Sequence, residues 1–231
     1  KADSASATTT YGPISGWDVK AVTDMSTMFW WYNTFNEPLN WDMSSVTNMF
    51  EMFYSAKAFN QPLSWDTSSV TNMQRMFVYT NAFNQPISFD TSSVTTMQSM
   101  FNRANTFNQD LSSWDMSSIE DTGGMFYLAA AFNQPLNWYT PNIKRLYGMF
   151  TNTLAFNQPL DSWDTSSVTD IAQMFRGASA FNQPLNWDTS NVITMDATFD
   201  GATALSNANK LIIRCAWAGN SEFDSRYGNS W

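Results

Sequence analysis

The sequence has 231 residues, a formal net charge of −9 and no histidine. An acidic surface argues against nucleic acid and anionic membranes as partners, because both attract clustered Lys and Arg. The lack of histidine removes the most common general base, and no apolar run reaches the roughly 18 residues of a membrane span.

In chain order, residues 1–12 are mostly small and polar and are predicted to be a tail or linker. Residues 13–205 then repeat a unit of 24 or 25 residues, a period that predicts a solenoid. If each unit is taken to start at its Trp-Asp pair, there are eight units. They begin at Trp17, Trp41, Trp65, Phe89, Trp114, Trp138, Trp163 and Trp187.

Apolar residues recur at fixed places in the unit. With the tryptophan as position 1, position 13 is Phe in every unit, from Phe29 to Phe199. Positions 6, 9, 13 and 16 are three or four residues apart, which predicts a short helix over about positions 5–16, capped by the preceding serines. The alternating segment Pro-Leu-Asn-Trp-Asp predicts one short parallel strand. A rival interpretation places the strand at Val-Thr-Asn-Met.

These elements predict an α/β solenoid of about eight stacked coils, each with one short parallel strand and one short helix. Equivalent side chains of successive coils would form ladders of Trp, Met and Phe. The asparagine after the second Phe, from Asn36 to Asn182, is expected to form a buried ladder that satisfies backbone groups.

The first unit carries an aromatic cluster where other units have small or polar residues. Trp30 and Trp31 could form a sugar-stacking or protein-binding patch. They could equally cover the N-terminal edge of the solenoid.

An aspartate follows the tryptophan in most units, and stacking would bring these carboxylates into a row. Calcium, which prefers oxygen ligands, would relieve their repulsion. The alternative, which we favour, is that each aspartate caps the helix that starts just downstream. The candidate ligand-binding members of the row are Asp42, Asp66, Asp90, Asp115, Asp164 and Asp188.

The sixth unit departs from the pattern. Tyr139 replaces the aspartate, and the unit contains two cations, Lys144 and Arg145. Tyrosine with arginine is a composition typical of interface anchors. Drift within one repeat explains the same change without a ligand.

After Leu205 the period stops. Residues 206–231 are predicted to be a cap, with a helix from Ala208 to about Ala218 that Ser206 or Asn207 caps and Gly219 ends. A solenoid needs such a cap because its open end exposes core and strand edges.

The run W-D-T-S-S-V-T-N-M-x-x-M-F at residues 65–77 and its later copies resemble the BspA-like surface-protein repeat, a divergent leucine-rich-repeat type. The resemblance covers about residues 13–205. It implies a leucine-rich-repeat-like solenoid at the cell surface or secreted, with adhesion or ligand binding as its role. It supplies no catalytic residues.

The sequence therefore predicts an extracellular or cell-surface recognition module that binds a protein or glycan on the solenoid face. The alternative is a structural spacer or filament subunit that assembles through its stacked repeats. No enzyme is expected, because nucleophile motifs and phosphate-binding loops are missing from the sequence. No cofactor is expected apart from the calcium considered above.

Overall fold

Each repeat unit forms one coil of a solenoid, and successive coils are joined through their backbones. The computed structural model, which describes residues 4–228 and 231, shows a ladder of isolated parallel bridges at position 8 of the unit. The bridged residues are Asp24, Asn48, Asn72, Thr96, Asp121, Arg145, Asp170 and Thr194. The extended segment thus lies at Val-Thr-Asn-Met, as in the rival interpretation. The segment Pro-Leu-Asn-Trp-Asp contributes one bridge in the described residues, between Leu63 and Ile87.

The predicted helix at positions 5–16 is wrong. In the second coil this segment is a series of overlapping turns, in which Met52 N–H donates to the Met49 carbonyl and Ala56 N–H donates to that of Phe53. Glu51 and Ser55, at positions 11 and 15, have φ of 53° and 58°, which no right-handed helix accommodates. Each turn returns the chain to the core after three residues, so a helix-like spacing of apolar residues arises without a helix.

Helices occur only outside the repeats in the described residues. Helix α1 spans Ser4–Tyr11, within the predicted linker, and a single 3-10 turn follows at Ile14–Gly16. Helices α2 (Asn207–Trp217) and α3 (Ser221–Arg226) follow the last coil. No helix in residues 4–228 is long and apolar enough to cross a membrane.

The core is built from the predicted aromatic ladders. Phe77, fully buried, stacks on Phe53 at 5.5 Å and on Phe101 at 5.6 Å between ring centroids. Within its own coil it stacks on Phe83 at 4.4 Å, which joins the two Phe ladders into one column. Such contacts add about 1 kcal/mol per pair to the stabilisation from burial.

The predicted asparagine ladder also forms, at the edge of the core. Asn133 Oδ1 accepts a hydrogen bond from the N–H of Asn157 (2.9 Å) and another from Gln158 Nε2 (3.1 Å). The same backbone bond recurs from Asn36 as far as Ser206, which donates to Asn182. The sequence analysis predicted a buried ladder, but these side chains are half-buried or exposed.

The C-terminal end of the solenoid is covered. Ser206 caps α2, where the sequence places a helix start, and its hydroxyl accepts the Asn209 N–H. Trp217 and Phe223 are buried, and the Trp217 ring lies 5.5 Å from that of Phe199 in the last coil. The two helices therefore supply the apolar surface that a ninth coil would otherwise provide.

Candidate functional site

The aspartates of the row serve as turn caps, and all are exposed except Asp164, which is half-buried. In each one Oδ1 accepts the N–H of the serine two residues later, at 2.8–3.1 Å. At Asp66 the Ser68 hydroxyl donates to the same oxygen at 2.7 Å. The predicted helix-capping role is thus corrected to the capping of a turn, because no helix follows. The six aspartates bound in this way are Asp42, Asp66, Asp90, Asp115, Asp164 and Asp188.

These hydrogen bonds decide the charge state of the row. Hydrogen bonding to Ser68 lowers the pKa of Asp66 below its ordinary value, and this outweighs desolvation and the repulsion from Asp90 and Asp42. The pKa values of the other five are lowered for the same reason. No group of three or more acidic or cysteine side chains in residues 4–228 is arranged to hold a metal ion. Calcium binding to the row stays a prediction.

The irregular sixth coil does not bring its three candidate residues into one cluster. Tyr139 is 67% exposed in the place of the row's aspartate. Lys144, at position 7, pairs with Glu120 at 2.9 Å, and Arg145, at position 8, pairs with Asp121 at 2.8 Å. Both carboxylates come from the same positions of the preceding coil, so the two cations have partners within the solenoid.

Trp30 and Trp31 belong to a larger surface that the sequence analysis missed. Both are nearly half exposed, at 48% and 44%, and their ring centroids are 5.8 Å apart. Each also lies 6.4 Å from the ring of Tyr54 in the second coil. They therefore start a contact chain that leads away from the N-terminal edge.

This chain continues across five coils. Tyr54 contacts Tyr79 with ring centroids 6.1 Å apart, and the Arg103 guanidinium lies over Tyr79 at 5.0 Å and over Tyr127 at 6.0 Å. We call this surface the aromatic row, and it comprises Trp30, Trp31, Tyr54, Tyr79, Arg103 and Tyr127.

The aromatic row has a positional signal in the sequence. Its members occupy positions 14 and 15, directly after the invariant Phe of position 13. In the structure Phe53 points into the core, whereas Tyr54 is half-buried at the surface. Comparing the variable positions between coils, rather than the constant ones, would have found the row.

Stacked coils with a parallel bridge at one position and tandem turns beside it define a solenoid of the leucine-rich-repeat type. Consistent with this, the chain superposes on the crystal structure of the T. pallidum leucine-rich repeat protein TpLRR with a TM-score of 0.51 and 12% sequence identity. The match covers 86% of this chain and 78% of that one, and it shows the fold alone.

The repeats themselves identify the family. The chain belongs to DUF285, described as a Mycoplasma protein of unknown function, whose pattern matches residues 3–88, 63–139 and 136–211. No curated protein matches the chain.

Proposed function

We propose that the protein is a non-catalytic recognition module, secreted or at a cell surface, that binds a protein ligand through the aromatic row. The surface location rests on the resemblance to BspA-like repeats. The binding role rests on one observation: exposed and half-buried rings and one guanidinium are in continuous contact over five coils.

The composition of the row favours a macromolecular partner. Trp, Tyr and Arg are the residues that most often dominate binding energy at protein interfaces. Neighbouring coils are about 5 Å apart, so the row spans roughly 20 Å, the scale of an interface core. Its members also hold one another in place, which lowers the entropic cost of ordering them on binding.

The ring geometry favours a protein over a glycan. A sugar ring stacks on a flat and accessible aromatic face, whereas neighbouring rings in the row are inclined to one another by 32–65°. Rings inclined in this way form an uneven surface, which suits the irregular side chains of a protein.

The alternative role, as a filament subunit stacked end to end, is less well supported. Head-to-tail stacking would require an open C-terminal coil, but Trp217 and Phe223 cover that coil. A recognition role needs only the side of the solenoid, which the cap leaves open.

The test uses the full chain against a panel of purified extracellular proteins and, in parallel, a glycan array. The binding variant is Tyr79→Ser with Arg103→Ser; Ser55 has the same positive φ as both residues, so serine suits their backbone. The control is Ser64→Ala with Ser88→Ala, two exposed residues beside the aspartate row.

We expect a protein ligand whose affinity falls at least about tenfold in the binding variant and stays within about twofold in the control. Equal losses in both variants would refute the aromatic row as the site. Binding only to glycans, abolished by the same variant, would refute the choice of a protein ligand.

A further inference from the structure

Every pair of adjacent coils is joined by the same backbone hydrogen bonds. In the first joint the N–H groups of Met25, Thr27, Phe29 and Trp31 donate to carbonyls of the second coil at 2.8–2.9 Å. Two bonds run the other way, from the Thr47 N–H to the Thr23 carbonyl and from the Ala58 N–H to the Asn33 carbonyl. The four forward bonds and the counterpart of the Thr47 bond recur at all seven joints, so each coil presents mainly carbonyls toward the N-terminal end and mainly N–H groups toward the C-terminal end.

The first coil therefore ends in a row of acceptors. By register, the carbonyls of residues 24, 26, 28 and 30 correspond to those that accept bonds in every later coil. None of these four carbonyls accepts a hydrogen bond from any residue that the structure describes, and the Thr23 N–H has no acceptor there either. We call this edge the N-terminal rim.

The rim borders an open apolar hollow of about 800 Å³. Val22 and Met28, whose counterparts Val46 and Met52 are fully buried, line it together with Trp17. Tyr11, the last residue of α1, lies at the edge of the hollow and is 72% exposed. The two ends of the solenoid thus differ, because α2 and α3 cover the last coil.

We propose that the N-terminal rim is a docking edge for one further coil, supplied by another polypeptide segment with the same repeat pattern. Four acceptors two residues apart require a backbone with N–H groups at alternate residues, which is what the opposite edge of such a coil presents. Its Val, Met and Phe side chains would fill the hollow and continue the core ladders.

A second copy of this chain fits the rim poorly. A head-to-head pair would set acceptors against acceptors, because both rims carry carbonyls. A head-to-tail pair would need the last coil, which Trp217 covers. A repeat segment outside residues 1–231 therefore fits the rim better than a second copy of these residues.

The first experiment titrates the full chain with a synthetic peptide of residues 65–88, one complete unit. A blocked peptide is N-methylated at Arg75 and Tyr79, whose N–H groups make coil-to-coil bonds. The matched control peptide is N-methylated at Ser69 and Asn81, whose N–H groups donate no hydrogen bond in the described structure.

We expect one-to-one binding that shifts the amide resonance of Thr23. The blocked peptide should bind about tenfold more weakly or worse, because two backbone hydrogen bonds are lost, and the control within about twofold. The variant Val22→Asp should weaken binding similarly, since it replaces an apolar side chain that the docked coil would contact with a charged one; Asp18 and Asp24 line other parts of the hollow. Tyr79→Ser with Arg103→Ser should leave peptide binding unchanged, which separates this proposal from the proposed function.

A second experiment joins the extra repeat covalently to the chain, so that it does not depend on the affinity of a free peptide. A copy of residues 65–88 is inserted directly before Trp17, and amide hydrogen exchange is measured in the copy. We expect slow exchange of the N–H groups of the copy that correspond to Met73, Arg75, Phe77 and Tyr79, which donate the coil-to-coil bonds. An unprotected copy, equal binding of all three peptides, or head-to-head dimers of the unmodified chain would overturn the proposal.

Discussion

Removing one ring from the middle of the Phe column should cost much more than removing one from its end. Phe101 is fully buried and stacks on Phe77 at 5.6 Å below and on Phe126 at 5.8 Å above. It also stacks on Phe107 at 4.0 Å within its own coil. Truncation of a buried Phe to Ala costs about 3–5 kcal/mol. Phe101→Ala should fall near the upper end because three coil-to-coil stacks are lost, with Phe77, Phe126 and Trp114.

Phe29→Ala is the matched comparison at the end of the column. Phe29 is nearly as buried, at 4% exposure, and also stacks within its coil, on Phe35 at 4.1 Å. Its only coil-to-coil Phe contact among the described residues is with Phe53. With Trp41 of the second coil included, Phe29→Ala loses two coil-to-coil stacks and Phe101→Ala loses three. The difference of one stack lowers the cost by about 1 kcal/mol, and fraying of the first coil limits it further.

The assay is guanidinium unfolding followed by circular dichroism, with hydrogen exchange to locate the unfolded coils. Phe101→Ala should lower the free energy of unfolding of the whole solenoid. The coils before Phe101 and the coils after it should then exchange their amide hydrogens at different rates. Phe29→Ala should raise exchange mainly in the first coil. Equal losses of stability in the two variants would refute the nearest-neighbour description of this solenoid.

Three further predictions follow from individual contacts. Asn133→Ala should lower the free energy of unfolding by about 1–2 kcal/mol because the Asn157 N–H loses its acceptor, whereas Asn133→Asp keeps an acceptor and most of the stability; chemical denaturation compares the two. Gly177→Ala should cost about 1 kcal/mol or more, because φ is +66° and the new Cβ meets the Asn152 side chain, and Gly16→Ala, in open space, should leave the melting temperature unchanged. The pKa of Asp66 and of its counterparts is lower in the folded state than the ordinary value of 3.8, so these carboxylates stabilise the folded state when the pH is above 3.8. The melting temperature should therefore drop as the pH falls below about 4 toward the folded-state pKa values. Asp66→Asn, which keeps the turn acceptor without titrating, should reduce that drop, and an unchanged pH profile would contradict the assignment.

The repeat and its core could be predicted from the sequence because each buried column is chemically constant. Phe at position 13 and the asparagine after the second Phe recur with a fixed spacing, and a fixed spacing forces equivalent residues to stack. The backbone path within a coil could not be predicted in the same way. Residues such as Glu51 and Tyr79 adopt positive φ without being Gly or Asn, so their residue type does not predict a left-handed turn.

Four glycines did carry part of that information. Gly124, Gly148, Gly177 and Gly201 all have positive φ, and they occupy positions 11 and 15 of their units. The residues at positions 11 and 15 have positive φ in all eight coils. Aligning the glycines with their non-glycine counterparts would have argued against a continuous helix, because a left-handed residue ends one.

The candidate site shows the opposite relation between sequence and structure. The aspartate row attracted interest because it repeats, yet its repetition is explained by a local structural need: every coil has the same turn, and Asp66 caps it through Ser68. Repetition of a residue in a solenoid therefore argues first for a role in folding.

Function is better sought where stacked positions differ. At positions 14 and 15 the successive coils read Trp-Trp, Tyr-Ser, Val-Tyr, Asn-Arg, Tyr-Leu, Thr-Asn, Arg-Gly and Asp-Gly. The backbone N–H at position 15 and the carbonyl at position 14 make the coil-to-coil bonds whatever the side chains are. The joint is thus independent of side-chain identity, which leaves these residues free to form a binding surface without loss of the fold. The contacts from Trp30 to Tyr127 form a continuous surface in the first five coils, which is why we propose the aromatic row as the recognition surface.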